Sequence, residues 1–224
     1  MTTPSRHILK SFDEELEVLR SKAINMGKLV SHSLELSIHG LIHGNIEECS
    51  DVIADDEIID QEELQIDEKG MAILLRFKPV ASDLRMVIST MNITRSIERI
   101  GDHAVTMAKR GRKILKIDPH NEEARLLQPL AEAARNLFDD ALLAYADVDG
   151  AKALGIVNRD QEVDRLYKRL SKALMQMATE PNGKSELILH LLFIARSLER
   201  AADLSANIGE DIFFITSADN IRHS

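Results

Sequence analysis

The chain has 224 residues and a formal charge of −9, with 28 Lys and Arg against 37 Asp and Glu. This length allows one sizeable hydrophobic core or two small ones. The acidic balance argues against nucleic acid as the main partner, because nucleic-acid phosphates attract cationic surfaces. The chain also lacks Trp and has only two Tyr, so it offers few aromatic rings on which single-stranded bases could stack.

The distribution of cysteine and apolar residues indicates a cellular compartment. Cys49 is the only cysteine, which excludes an intrachain disulfide and favours a reducing environment. The first ten residues contain no apolar core of signal-peptide length. The longest apolar run, residues 187–194, is interrupted by His190 and is too short to cross a membrane. We therefore expect a soluble, cytoplasmic protein.

Apolar residues recur with the helical period of 3.6 along almost the whole chain, and no segment alternates as a strand would. Stops at Gly44, before Pro79 and at Asp118-Pro119 divide the first half, and a turn is expected at residues 180–183. Because the connections are short, successive helices should be antiparallel. The six expected helices cover residues 12–43, 45–77, 80–115, 122–147, 150–179 and 184–215.

An internal repeat relates the two halves of the chain. Residues 93–102 (ITRSIERIGD) recur 101 positions later at 194–203 (IARSLERAAD). Residues 56–60 (DEIID) recur 104 positions later at 160–164 (DQEVD). A repeat of this length is typical of duplicated supersecondary structure. We predict an all-α fold of two tandem, pseudo-symmetric three-helix bundles, with domains at 1–117 and 118–224.

Several carboxylates interrupt the apolar stripes of the predicted helices. At about 100° per residue, Glu98 and Asp102 lie inside the apolar stripe of the third helix, and Glu199 shares an apolar face of the sixth. An ionised, unpaired carboxylate in such a place costs several kcal/mol, so each needs a partner. One interpretation is a network of ion pairs with arginines three residues earlier, namely Arg95, Arg99, Arg196 and Arg200.

The other interpretation is a pair of metal sites. If neighbouring helices pack together, four carboxylates converge in each half: Asp56, Asp60, Glu98 and Asp102, and then Asp160, Asp164, Glu199 and Asp203. Oxygen ligands alone suit Fe, Mn, Mg or Ca, and no Cys and few His are near enough to suggest structural zinc. The pattern by itself leaves the ion-pair and the metal interpretations open.

Further residues carry a resemblance to a known family. Residues 79–85 (PVASDLR) followed by 97–104 (IERIGDHA) resemble the signature of the PhoU family. The second half is similar at 198–200 (LER), 207–211 (NIGED) and 220–223 (NIRH). The resemblance covers essentially the whole chain, and it implies two three-helix bundles without a catalytic reaction.

The resemblance also implies what the carboxylates bind. PhoU proteins hold multinuclear iron or zinc clusters, or other divalent ions such as Mn or Mg, through Glu/Asp-x-x-x-Asp motifs. The motifs and their facing pairs match Glu98/Asp102 with Asp56/Asp60, and Glu199/Asp203 with Asp160/Asp164. In the second motif Ala201, Ala202 and Leu204 replace the more usual Ile/Val, Gly and His of the family. The second site therefore departs from the family pattern.

The implied role is negative regulation of phosphate uptake and of the phosphate-starvation response. The implied partners are the ATPase of the phosphate-importing ABC transporter and its sensor histidine kinase at the cytoplasmic membrane face. A homodimer is a further expectation by analogy.

Two alternatives to a metal-binding regulator remain. A carboxylate-bridged di-iron enzyme would require Glu-x-x-His motifs, and no Glu of the chain has a His three residues later. A metal-free adaptor stabilised by ion pairs is the other. A further group on the first helix consists of His32, His39 and His43. We expect a solvated stripe there and not a metal site, because beyond Glu35 the helix has no acidic cluster that matches these histidines.

Overall fold

The computed structural model describes residues 4–179 and 184–219, with side chains from Lys10 onward. The predicted turn at 180–183 and the tail motif at 220–223 lie outside the described residues. Within the described ranges all regular structure is helical, as predicted. The helices are α1 (Pro4–His43), α2 (Ile46–Ala54), α3 (Asp56–Phe77), α4 (Ala81–Ile117), a 3₁₀ helix (Glu123–Leu127), α5 (Gln128–Asp147), α6 (Gly150–Ala178) and α7 (Ser185–Ser217).

Side-chain caps and left-handed residues fix several of the helix ends. The side chain of Asn45 accepts hydrogen bonds from the backbone N–H groups of Glu47 and Glu48, at 3.1 and 3.4 Å, and so begins α2. Asp149 caps α6 in the same way. Gly44, with φ of 74°, provides the left-handed residue that ends α1.

Three predicted boundaries differ from the structure. The first helix begins at Pro4 and not at residue 12. The predicted second helix is divided at Asp55, where α2 ends and α3 begins one residue later. No Gly or Pro marks this break, so the sequence pattern runs through it. The predicted fourth helix begins as the separate 3₁₀ helix, and α5 begins only at Gln128. Pro129 lies in the first turn of α5, where its missing N–H costs no hydrogen bond.

The helices form two bundles of related design that share a seam. Contacts run in the order α3–α4–α7–α6, while α1 and α2 pack on α4, and α5 packs on α6 and α7. Arg110 lies beside His190 and Phe193, whereas His103 lies near Arg200. Residue numbers thus rise along α4 as they fall along α7, so the two helices are antiparallel. The contact between α4 and α7 is as extensive as the contacts within each bundle.

The buried side chains form one connected core across both bundles. Polar contacts join the halves as well: the hydroxyls of Thr90 and Tyr145 are 2.7 Å apart in the core. Ser31 donates to Asp139 at 2.6 Å, which ties α1 to α5. The two repeats are confirmed, whereas the domain boundary at residue 117 stays a prediction. None of the described helices is long and apolar enough to traverse a lipid bilayer.

Candidate functional site: two acidic clusters

The first acidic cluster lies where α3 begins beside the middle of α4. The break at Asp55 makes Asp56 the first residue of α3, where the helix dipole favours negative charge. Asp60 follows one turn later. From α4, Glu98 is half-buried and Asp102 is exposed. All four residues predicted for the first half therefore lie on adjoining parts of two packed helices.

Mutual repulsion and burial define the electrostatics of this cluster. Burial, followed by the charges of Asp102, Glu63, Asp60 and Asp56, raises the pKa of Glu98 to about 7. Among the described residues, no cation contributes to the shift of this pKa. The pKa of Asp56 is raised in the same way, first by burial and then by Asp60 and Asp102, with Lys109 acting against them. The carboxylates are thus close enough that the negative charge of each one makes ionisation of its neighbours less favourable.

Glu63 is a member of this cluster that the sequence analysis missed. Its pKa is raised by burial and by Asp67 and Asp60, with Arg95 acting in the opposite direction. Glu63 lies seven residues after Asp56, which places it on the same face of α3. That heptad spacing is the signal by which it could have been found.

The ion pairs predicted for the first half do not form. Arg95 reaches across to Asp67 on α3, at 3.1 Å, instead of pairing with Glu98 on its own helix. Neither Glu98 nor Asp102 forms an ion pair with any residue that the structure describes. The first cluster is therefore a group of carboxylates with little neutralising charge.

The second cluster lies at the equivalent place on α6 and α7. Burial, then Asp203 and Asp164, raises the pKa of Asp160 to about 6. Glu199 is only 8% exposed, and burial and Asp203 raise its pKa against the opposing effect of Arg196 and Arg200. The four residues predicted for the second half are thus also neighbours.

Arginines partner this second cluster as the ion-pair interpretation predicted. Arg196 bonds Glu199 at 2.5 Å, and Arg200 bonds Asp203 at 3.1 Å. Lys168 pairs with Asp164 at 3.2 Å. The position equivalent to Glu63 is Tyr167, whose ring lies 5.6 Å from the Arg196 guanidinium carbon. The two clusters therefore have the same layout and opposite degrees of charge compensation.

His103 lies between the two clusters at the seam of α4 and α7. Its pKa is lowered, first by burial and then by Arg99 and Arg200, while Asp102 and Asp203 act in the opposite direction. A single side chain is thus within electrostatic range of an aspartate from each cluster. Leu204 occupies the equivalent position in the second half, so this link exists on one side only.

The chemistry of the carboxylates decides whether the two clusters fit a metal ion. In residues 4–179 and 184–219, no three His, Cys, Asp or Glu side chains are grouped closely enough to hold a metal ion. The first cluster nevertheless consists of oxygen donors whose repulsion a hard cation would relieve. In the second, the buried Oε2 of Glu199 lacks a hydrogen-bond partner among the described residues, although Nε of Arg200 lies 3.9 Å from it. Both clusters fit a cation chemically, and binding one would require their side chains to draw together.

Comparison with known proteins gives a consistent result for both halves. A family model, the PhoU domain, matches residues 23–111 and again residues 127–212. A phosphate-specific transport system accessory protein PhoU homolog of Zymomonas mobilis is 36% identical over 93% of this chain and 87% of its own length.

Solved structures agree with this assignment. The crystal structure of PhoU from Pseudomonas aeruginosa superposes with a TM-score of 0.89 at 31% identity, covering 93% of this chain and all of the other. The phosphate transport system regulatory protein PhoU of Streptococcus pneumoniae gives a TM-score of 0.86 at 27% identity, over 95% of this chain and all of its own.

Proposed function

Because this chain belongs to the PhoU family, we propose that it is a non-enzymatic, metal-binding regulator that restrains phosphate uptake when phosphate is plentiful. The observation that carries the proposal is the match of both repeats, and of nearly the full chain, to accessory proteins of phosphate-specific transport. In this proposal the protein acts in the cytoplasm, on the ATPase of the phosphate-importing transporter and on its sensor histidine kinase.

The proposed ligands of the metal are Asp56, Asp60, Glu98 and Asp102 in the first half, with Glu63 added from the structure. Asp160, Asp164, Glu199 and Asp203 are the ligands in the second half. Iron or zinc is the proposed ion, with Mn or Mg as alternatives. A bound cation would neutralise negative charge and draw the carboxylates of two helices together. The surface shown to a partner would then differ between the metal-free and the metal-bound protein.

A strain that lacks this protein should keep its phosphate-responsive genes switched on at high phosphate, with uptake no longer restrained. The measurement is a reporter of phosphate-starvation transcription together with the rate of phosphate uptake. Normal repression in the deletion strain, in the absence of a paralogue, would contradict the proposed regulation.

Complementation separates regulation from metal binding. Asp102→Asn preserves volume and removes charge, so it should lower the metal content of protein purified without chelator and fail to restore repression. Asp13→Asn is the control, because Asp13 is an exposed aspartate on α1, outside both the cluster and the family signature.

A metal-free adaptor is the second candidate function. The observation that favours it is the set of arginine–carboxylate pairs in the second cluster. If wild-type protein purified without chelator carries no bound metal, and Asp102→Asn restores repression in full, the adaptor function is supported and the regulatory metal is excluded.

A further inference from the structure

A pair of histidines on α1 is arranged as a metal ligand pair, away from both acidic clusters. His39 and His43 lie one helical turn apart at the end of α1, and both are exposed. Their rings are stacked, with centroids 4.1 Å apart and planes at 28°. The two rings therefore lie face to face, one helical turn apart on the same side of α1.

Hydrogen bonds determine which nitrogen of each ring carries the proton. Nδ1 of His43 is 3.0 Å from the backbone carbonyl oxygen of His39, and a carbonyl only accepts, so this nitrogen donates. Nδ1 of His39 is 2.7 Å from Oε2 of Glu48 and donates to that carboxylate. In a neutral imidazole whose Nδ1 carries the proton, Nε2 has the free lone pair. Both rings thus keep Nε2 available as a ligand.

The corner between α1 and α2 places Glu48 beside His39. A Cβ atom on Gly40 would lie 2.8 Å from the Asn45 carbonyl oxygen and 3.1 Å from Cβ of Glu48. Glycine at position 40 therefore allows α2 to approach this closely. Since Asn45 also accepts a hydrogen bond from the N–H of Glu48, the carboxylate partner belongs to a capped, well-packed turn. The sequence alone hid this contact, because Glu48 belongs to the next helix.

Two features of this arrangement are typical of transition-metal sites. The spacing His-x-x-x-His on a helix is that of the zinc-binding H-E-x-x-H motif, with Gly40 in place of the catalytic glutamate. A carboxylate that accepts from the far nitrogen of a ligating histidine is the usual outer partner, which orients the ring and raises its basicity. Position 40 supplies no general base, so the arrangement is one for binding and not for hydrolysis.

We propose that His39 and His43 bind one borderline transition-metal ion, Zn²⁺, Ni²⁺ or Cu²⁺, through their Nε2 atoms, with Glu48 holding the ring of His39. Imidazole nitrogen is a suitable ligand for each of these ions. Among the described residues no third protein ligand is grouped with the pair. Water completes the coordination, and the pair borders a pocket of about 420 Å³ between α1 and α5 that can hold it.

The test uses the full chain without a histidine tag, titrated with Cu²⁺ while excess Mg²⁺ occupies the carboxylates. Cu²⁺ is chosen because it binds nitrogen sites most tightly of the divalent series. Electron paramagnetic resonance should show coupling to two imidazole nitrogens. His39→Ala and His43→Ala should each abolish the two-nitrogen signal. His32→Ala is the matched control, since His32 is exposed on the same face of α1 two turns earlier.

A second pair of variants tests the role of Glu48. Glu48→Ala should weaken Cu²⁺ binding roughly 10–100-fold, the range for loss of an outer-shell partner, whereas Glu47→Ala should leave it unchanged. Far-UV circular dichroism confirms that each variant is folded. The proposal is overturned if the two-nitrogen signal survives in either histidine variant, or if Cu²⁺ is held by oxygen ligands alone. This inference does not depend on the proposed role in phosphate uptake.

Discussion

Glu98 is a carboxyl group whose ionised form is unfavourable in the metal-free protein, because of burial and of the neighbouring carboxylates. Its pKa of about 7 in the folded protein lies above the ordinary value of 4.5, so the folded state binds this proton more tightly than the unfolded chain does. The stability that this proton contributes is fully present below pH 4.5 and is lost as the pH rises through 7. A bound cation would offset the loss by neutralising the cluster.

Glu98→Gln should therefore stabilise the metal-free protein relative to wild type as the pH rises from 5 to 8. We expect a gain of about 1–2 kcal/mol, after allowance for solvent screening of a half-buried group. The measurement is urea denaturation in EDTA at both pH values. Comparing variant with wild type cancels the contribution of His103, which has the opposite sign because its pKa is lowered.

Glu68→Gln, at an exposed position of α3, is the control and should show no such trend. If the difference in unfolding free energy between Glu98→Gln and wild type does not change with pH, the raised pKa of Glu98 is contradicted.

At this scale the sequence predicted which carboxylates interrupt the apolar stripes, because position on a helix follows from spacing alone. It did not predict which carboxylate each arginine would pair with. Arg95 and Arg196 occupy equivalent positions, yet Arg95 turns to Asp67 and Arg196 to Glu199. The position equivalent to Asp67 is Ser171, so in the second half no such acid competes for the arginine.

Among the helix pairs, α6 and α7 approach each other closely at a glycine of α7. A Cβ atom on Gly209 of α7 would lie 2.9 Å from the carbonyl oxygen of Ala153 in α6. The obstructing atom is backbone, so it cannot move aside as a flexible side chain would. The packing of these two helices therefore requires a glycine at this position.

Gly209→Ala should destabilise the protein by about 1–3 kcal/mol, the usual cost of forcing an extra carbon into a packed interface. Gly155→Ala is the matched control on the partner helix: it meets nothing within 4 Å, and should stabilise by roughly 0.5–1 kcal/mol through helix propensity. Chemical denaturation measures both. Equal effects of the two substitutions would contradict the close approach of α6 and α7.

Helix boundaries followed from the sequence at Gly44 and Asn45, where residues typical of helix ends and caps mark them. The break at Asp55 did not, since it is made by the way α2 and α3 each pack on α1 and α4. That break matters for the site, because it makes Asp56 the start of a helix. Residues near a helix end indicate caps and turns, whereas a break that arises from packing has no signal in the neighbouring sequence.

For the whole molecule, the sequence predicted two repeats and the structure adds that they share one core. The repeats follow from two matching strings of residues, but the extent of contact between α4 and α7 depends on which faces meet. The apolar residues of α4 serve both its own bundle and the seam. Sequence periodicity shows that these residues are buried without showing which helix covers them.

A shared core predicts that the two repeats unfold together. Differential scanning calorimetry should show one transition, with the calorimetric enthalpy equal to the van't Hoff enthalpy. The buried Thr90–Tyr145 contact and the α4–α7 seam are lost only when both halves open. Two resolved transitions, or a van't Hoff enthalpy near half the calorimetric one, would show that the bundles are independent.

Across the antiparallel seam, each half of the chain covers the other half, as two subunits of a dimer would cover each other. A protein with one such repeat would cover its α4 only by pairing two identical copies, and every change on one side would then appear on the other. Joining the copies in one chain removes that constraint, so each half can diverge separately. The outcome is visible in the arginines, which neutralise Glu199 and Asp203 but leave Glu98 and Asp102 alone. The duplicated chain thereby contains two acidic clusters whose negative charge is compensated to different degrees.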